Sequence, residues 1–460
     1  MNRITRPYKL SALFILLGLS SSAQDKVSLS LEKSIEIGLS NSKFLHSSGM
    51  RVQEADAKAG EANASRLPLL RFGGNYTRLS DVPPFTQTIP AGTFGPQQQQ
   101  PIGVTLSPVV LDNYNLRLSL QQPLFTGFRL QSSSEITDWN AQATQEDFNK
   151  DKAELIYHID NSYWNLFKSI EFKKVIDETA KQVNAHLNDV QNLMNQGMAT
   201  TNDVLRVQVQ LSNAELLQID ATNNVRLAAT ALNNDIGLPL HTEIQIESTP
   251  DSLYNRSPKG PTEDISTLIE RALHNRPEVK GMQYRVEAGE SGVKLAKSGW
   301  YPQIYLTGNY YYARPNQRIL PTEDRFHDTW DVGITASVDI WNWGTTVHQT
   351  QQAQAQLAQA QDALGQLRDA IALEVTQNYL NVSESKERIR VSDQGAKQAE
   401  ENYRVTNEKY KLGVALNSDV LDAEVSLLQT RWSHIQSVVD YELAQAKLQK
   451  SIGQKANEGN

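Results

Sequence analysis

Cysteine is absent from the 460 residues. That excludes disulfides, thiolate metal sites and a lipid carried on an N-terminal cysteine. Apolar residues are also too thinly spread for a polytopic helical membrane protein, because the mean hydropathy is −0.48 and 21% of residues are charged. The eight histidines never fall four apart, and no GxGxxG, P-loop, GxSxG or HExxH pattern occurs. A lone histidine such as His158 or His434 reads as an ordinary helix residue. No enzyme activity, cofactor or metal is therefore expected. Basic charge is in deficit, with a formal net charge of −8, which argues against nucleic acid as a partner.

One apolar run stands out. Arg3, Arg6 and Lys9 precede residues 10–19, and Ser20, Ser21, Ser22 and Ala23 follow. A basic start, a short apolar stretch and small residues predict a secretory signal over residues 1–23, too short to span a bilayer. Its removal takes away those three basic residues and no acidic one, so the charge moves from −8 to −11.

What the chain does have is a duplication. Gly197, Ala199, Asp203, Val204, Leu205, Val209 and Leu211 recur 216 residues later as Gly413, Ala415, Asp419, Val420, Leu421, Val425 and Leu427, without a gap. Upstream, Pro68, Gly74, Asn75 and Tyr76 recur 234 residues later as Pro302, Gly308, Asn309 and Tyr310. The offset changes by 18 between Tyr76 and Pro123, so the first copy carries an insertion there, rich in proline and glutamine and read as a loop. The copies are assigned to residues 27–240 and 262–454, each a helix, two strands and a long helical hairpin. A connector over 241–261 separates them and a tail over 455–460 follows.

Strands are expected near 69–78, 115–125, 302–313 and 331–341. Ile304, Leu306, Gly308, Tyr310 and Tyr312 alternate with polar neighbours. So do Val332, Ile334, Ala336, Val338 and Ile340, and so do Leu116, Leu118 and Leu120. Period two gives two unlike faces, and about 10 residues is the length of a tilted membrane-crossing strand. Trp300 and Tyr301 open the third strand, and Trp341 and Trp343 close the fourth, as an interfacial aromatic girdle would. A soluble sheet packed on helices is the competing reading. Four strands cannot close a barrel, and an open edge is not tolerated in lipid. Membrane-spanning strands would therefore be shared, two chains giving eight and three giving twelve.

Residues 124–238 and 322–460 contain no proline. About 65 helix-compatible residues precede each of Gly197 and Gly413, on the order of 100 Å of helix. Ala353, Leu357, Ala360, Leu364, Leu367 and Ile371 step by four and three, as do Leu421, Val425, Leu428, Trp432, Ile435 and Val439. Such stripes suit closely packed antiparallel helices. The opposite face, with Gln351, Gln352, Gln354, Gln356 and Gln359, suits a water-filled wall or plain solvent.

Together these features resemble the TolC-like outer-membrane factor family of efflux and type I secretion ducts. The marks are Tyr410, Lys411, Leu412 and Gly413 followed by Asp419, Val420, Leu421, Asp422 and Ala423, with a degenerate copy at Gly197, Asp203, Val204 and Leu205. A second motif runs Gln122, Pro123, Leu124, Phe125, Thr126 and Gly127, with a weaker copy from Asp339 to Gly344. The resemblance implies a mainly α fold with a small β part. Three copies would form a 12-stranded outer-membrane β-barrel continuous with a periplasmic α-helical barrel. The Gly197 and Gly413 turns would dock a periplasmic adaptor tied to an inner-membrane pump. It implies external loops over 80–113 and 314–328. It also implies acidic rings at Asp419 and Asp422, and latch residues at Asp203 and Tyr410. Helix capping is the competing role for Asp203 and Asp419. Ala415 stands where relatives carry a latch arginine, with Arg206 nearby in the first copy. Rival readings are a periplasmic adaptor, which needs a β-rich module between hairpin arms, and a structural coiled coil, which needs no strands.

Overall fold

The computed structural model describes residues 27–107, 109–248 and 263–454. The signal over 1–23, part of the 241–261 connector and the tail over 455–460 lie outside them. In chain order the elements are β1 (Val27–Leu29), α1 (Leu31–Asn41), α2 (Lys43–Ala64), β2 (Leu69–Arg78), β3 (Phe85–Ile89), β4 (Ile102–Ser107) and β5 (Asp112–Thr126). There follow α3 (Arg129–Asn195), α4 (Thr201–Asp235), β6 (Ile244–Ile246), α5 (Ile265–Asn275) and α6 (Pro277–Lys297). The last are β7 (Gln303–Arg314), β8 (His327–Ser337), α7 (Thr345–Lys411) and α8 (Asn417–Ser451).

The duplication reappears in the backbone. Helices α3 and α7 each have 67 residues, and α4 and α8 each have 35. Each second-copy helix begins 216 residues after its counterpart, as Arg129 and Thr345 illustrate. Without proline these helices have no built-in break, and glycine ends them. Gly197 and Gly413 adopt φ of +76° and +72°. That left-handed residue lets the chain turn back and satisfy the last carbonyls. Met198 N–H donates to Leu193 O at 2.9 Å, and Val414 N–H to Lys409 O at 2.9 Å.

Strand-to-helix junctions repeat too. Gly127 and Phe128 both have positive φ, 61° and 68°, and so do Trp343 and Gly344, 54° and 79°. Both copies thus use two left-handed residues, with the glycine moved by one place. At Gly127 the need is also steric, because a Cβ there would lie 2.6 Å from the Ser298 carbonyl oxygen and 2.7 Å from Tyr301 Cβ.

The chain forms two compact units. One holds described residues 27–42, 156–248 and 384–443. Its core includes Leu29, Ile159, Tyr163, Leu166 and Phe167, all nearly inaccessible. A further cluster is Val183, Leu187, Val190, Val204 and Val207. Strands β1 and β6 pair in parallel, Val27 opposite Ile244 and Leu29 opposite Ile246. The second unit holds 43–155, 263–383 and 444–454. Leu268, Ala272, Val279, Ile371, Val375 and Ile452 form a core there. Buried Arg276 is matched by Glu278 at 2.8 Å and Glu374 at 2.5 Å. The four-stranded antiparallel sheet, in the order β2-β5-β7-β8, belongs to this unit.

Four expectations need correction. The fourth strand spans His327–Ser337 rather than 331–341, because its partner begins at Gln303, the residue paired with Ser337, and Pro302 before it has no N–H to donate. The insertion expected as a loop contains the β3–β4 hairpin, with Ile89 opposite Ile102. The connector supplies β6. In α8 the buried line runs through Val420, Ala423, Glu424 and Leu427, whereas Val425 of the expected stripe is 38% exposed.

These backbone demands separate two glycines. Gly127→Ala meets both φ strain and a clash and should cost about 2–3 kcal/mol. Gly197→Ala has nothing within 4 Å of the added Cβ and should cost about 1 kcal/mol. Thermal unfolding in detergent, followed by circular dichroism, should rank the Tm values wild type, Gly197→Ala, Gly127→Ala.

Candidate functional site

Two surfaces carry the residues singled out by sequence: the faces of the sheet and the two hairpin turns. In the sheet, directly opposed residues of antiparallel strands point to the same side. One row reads Phe72, Leu118, Tyr310 and Trp330, and the next Leu70, Leu120, Gly308 and Val332. This face is bare: Phe72 is 69% exposed, Trp330 70% and Ile334 68%. The other face reads Arg71, Ser119, Asn309 and Asp331 in one row and Gly73, Arg117, Tyr311 and Thr329 in another. Arg117 donates to Asn309 Oδ1 at 2.7 Å, and Asn309 donates to Asp331 Oδ1 at 2.7 Å. Arg318 closes the chain on Asp331 at 2.6 Å. An apolar face that water surrounds on every strand, backed by a satisfied polar network, is the inverse of a soluble sheet packed on a core.

Aromatic residues edge the apolar face at both ends. Tyr301 packs edge-on against Phe128 at 5.7 Å and Phe125 at 6.4 Å, and Trp341 against Trp343 at 5.8 Å. Trp300, Trp341 and Trp343 are exposed. Tyr76, Tyr114, Phe326 and Tyr312 contact one another in that order at the opposite end, with centroids 4.9–5.8 Å apart. Sequence reasoning named only the first girdle. The second was legible as three tyrosines in phase with the apolar rows. A ten-residue strand tilted as in barrels covers about 25 Å, the height of an apolar band.

At the turns, Asp203 and Asp419 do the same local work. Asp203 Oδ2 accepts from Thr200 N–H at 2.9 Å and Thr200 Oγ1 at 2.6 Å, and Asp203 N–H donates back to Thr200 Oγ1. This capping box holds the Asp203 carboxyl below the usual range, chiefly through the Thr200 hydroxyl. Asp419 accepts from Leu416 N–H at 3.0 Å. Both therefore cap their helices. Asp419 and Asp422 are exposed. Asp422 shares a groove of about 430 Å³ with Asn202, Leu205, Arg206, Val209, Ser418 and Leu421. Five residues or fewer separate the arms of each hairpin, so neither turn holds the β-rich module of an adaptor.

The contact that ties the hairpins together was not foreseen. Asn417 Oδ1 sits 2.8 Å from buried His186 Nε2, and Asn417 Nδ2 donates to the Asp203 carbonyl at 3.2 Å. One amide thus joins α8, α3 and α4. Tyr410 packs edge-on against His186 at 5.1 Å, so it supports this joint. Burial lowers the His186 pKa, against the opposing pull of the Asn417 hydrogen bond. Two turns further along α8, Glu424 is 2% exposed, and neither carboxylate oxygen has a hydrogen-bond partner among the described residues. Burial pushes its pKa up to about 7. Burial and the nearby Glu424 charge raise Tyr403 to about 12. No cluster of His, Asp or Glu among the described residues fits a metal ion.

Comparison with known proteins agrees with this geometry. The family model described as "Outer membrane efflux protein" matches residues 35–238 and 268–454. The alkaline protease secretion protein AprF of Pseudomonas aeruginosa is 24% identical over 396 residues, 85% of this chain and 77% of AprF. The outer membrane efflux protein BepC of Brucella suis is 20% identical over 443 residues, 96% of this chain and 89% of BepC. Among solved structures, CusC superposes with a TM-score of 0.77 at 18% identity, covering 98% of this chain and 99% of CusC. The Neisseria gonorrhoeae MtrE channel in its open state gives 0.76 at 18% identity, covering 92% of this chain and 89% of MtrE.

Two outcomes follow for the turn region. Asn417→Ala strips buried His186 of its only side-chain hydrogen bond among the described residues and should lower stability by about 1–3 kcal/mol, read as a fall in Tm. For Glu424 the folded value lies above the unfolded one, 4.5. The folded protein therefore keeps the proton that the unfolded chain loses. The contribution of Glu424 to stability is full below pH 4.5, declines as pH rises to about 7, and is lower by up to roughly 3 kcal/mol beyond. Glu424→Gln should abolish that decline, so its Tm advantage over wild type should grow between pH 5 and 7 and then level off.

Proposed function

The chain belongs to the outer membrane efflux protein family, and from that premise we propose that it is one of three copies that build a passive exit duct through the outer membrane. The single observation that carries this reading is the sheet, with one bare apolar face and two unpaired edge strands, β2 and β8. In hydrocarbon each unpaired backbone group costs several kcal/mol. Four strands cannot close on themselves, so copies supply one another's edges, and three copies give twelve strands, enough for an open lumen. The apolar rows then face lipid, with aromatics at both interfaces, and the Arg117–Asn309–Asp331 network faces the water inside.

The long helices extend the conduit into the periplasm. Their turns at Gly197 and Gly413 dock a periplasmic adaptor, through which an inner-membrane transporter delivers cargo. Met198, Leu412, Val414 and Leu416 leave these turns apolar and exposed, 65–78%, as a docking end requires. Three copies of Asp419 and Asp422 around a narrow passage would focus negative potential and favour cations. Capping does not conflict with this role, because the Asp419 cap bond uses one carboxylate oxygen and leaves the group exposed. No step needs bond chemistry: the protein is a transport duct and not an enzyme.

The reading is tested by reconstituting the purified protein in planar bilayers. Wild type should conduct with a preference for K⁺ over Cl⁻. Asp419→Ala with Asp422→Ala should lower that permeability ratio by about two-fold or more. A protein that fractionates as soluble without detergent and carries no current would overturn the duct. An unchanged ratio would reduce the two aspartates to structural residues.

A further inference from the structure

The two hairpins of the sheet obey one register. Phe72 pairs with Leu118 across β2 and β5, and Leu306 pairs with Ile334 across β7 and β8. Adding the sequence offsets, 234 for the leading strand and 216 for the following one, converts the first pair into the second. The copies are thus equivalent in pairing as well as in sequence. The junction between copies inside the chain is β5 with β7, where Leu118 pairs with Tyr310. A closed barrel repeats that junction between β8 of one chain and β2 of the next. Adding 216 to Leu118 and subtracting 234 from Tyr310 gives the new pair.

We propose that β8 pairs antiparallel with β2 of a second copy of this chain in the register that sets Ile334 opposite Tyr76, and that Asp339 and Arg71 form an ion pair across this seam. The proposal rests on the shared-barrel reading above and fixes its interface residue by residue.

Three observations converge on this register. Arg71 lies on the polar face, opposite Ser119, and Asp339 follows Asp331 and Ser337 in the same period. Both are exposed and neither has an ion-pair partner among the described residues. The register sets these two opposite charges directly across from each other. Next, β8 stops at Ser337 only because β7 has no residue left to pair, yet the alternation continues through Val338, which is 52% exposed. In this register the second copy's β2 reaches those residues and sets Val338 opposite Phe72 on the apolar face. Finally, the alternatives fail. A slip of one residue turns every apolar side chain of one strand inward. A slip of two keeps the faces but moves Asp339 opposite Leu69 or Gly73, away from Arg71.

The cysteine-free chain makes the test clean. Asn75 and Thr335 are directly opposed in this register, and opposed residues have Cα atoms about 4.5–5.5 Å apart, within disulfide reach. Full-length protein with Asn75→Cys and Thr335→Cys should oxidise to covalent dimers and trimers on a non-reducing gel. The shifted pair Asn75→Cys with Ser337→Cys should link at least about five-fold less. Equal or better linking of the shifted pair in a trimer overturns the register while leaving the shared barrel standing, and a detergent-stable monomer overturns both. In parallel, Arg71→Asp should reduce the fraction of intact oligomer, and adding Asp339→Arg should restore it. Failure of the swap to restore it overturns the ion pair.

Discussion

Everything in this molecule follows from the backbone of two edge strands. A soluble protein leaves such edges to water. Here the same strands carry a face of leucine, phenylalanine, tyrosine, tryptophan and valine that water cannot be the intended neighbour of, so the edges sit where no water can satisfy them. On the proposed reading, that single conflict brings copies of the chain together. The polar face is well connected internally: Arg117, Asn309 and Asp331 hold one another in place, as suits the proposed wet lumen.

Much of the plan was legible in the sequence because duplication amplifies weak signals. A proline-free stretch suggests a long helix; two of them at a constant offset, each ended by a glycine, define a repeated hairpin, and the structure gives both copies helices of equal length. Strand faces were legible because alternate residues carry opposite polarity along β5, β7 and β8. The failures have physical causes as well. β1 and β6 are three residues each, too short for any period to declare itself. The end of β8 depends on where β7 runs out, which is a property of pairing and not of the β8 residues.

The turn region was read less well, for reasons that are also physical. Asp203 and Asp419 were recognisable as either caps or pore residues, and their local bonds establish the cap. Asn417 and His186 carry no pattern of their own. They meet only because three helices converge, and a buried amide that joins a histidine ring to a main-chain carbonyl has no sequence signature. Glu424 was hidden by the assumption that a buried stripe is apolar. Shifting the α8 stripe by one residue exposes Val425 and buries an acid, which keeps a titratable group among packed helices.

The central claim is that one chain cannot complete the structure and that several must share a sheet. The most direct test is the native mass of the detergent-solubilised protein, taken together with single-channel recording on the same sample. Particles of three chains that conduct ions are the expected result. A stable single-chain species that inserts into bilayers without current would contradict it.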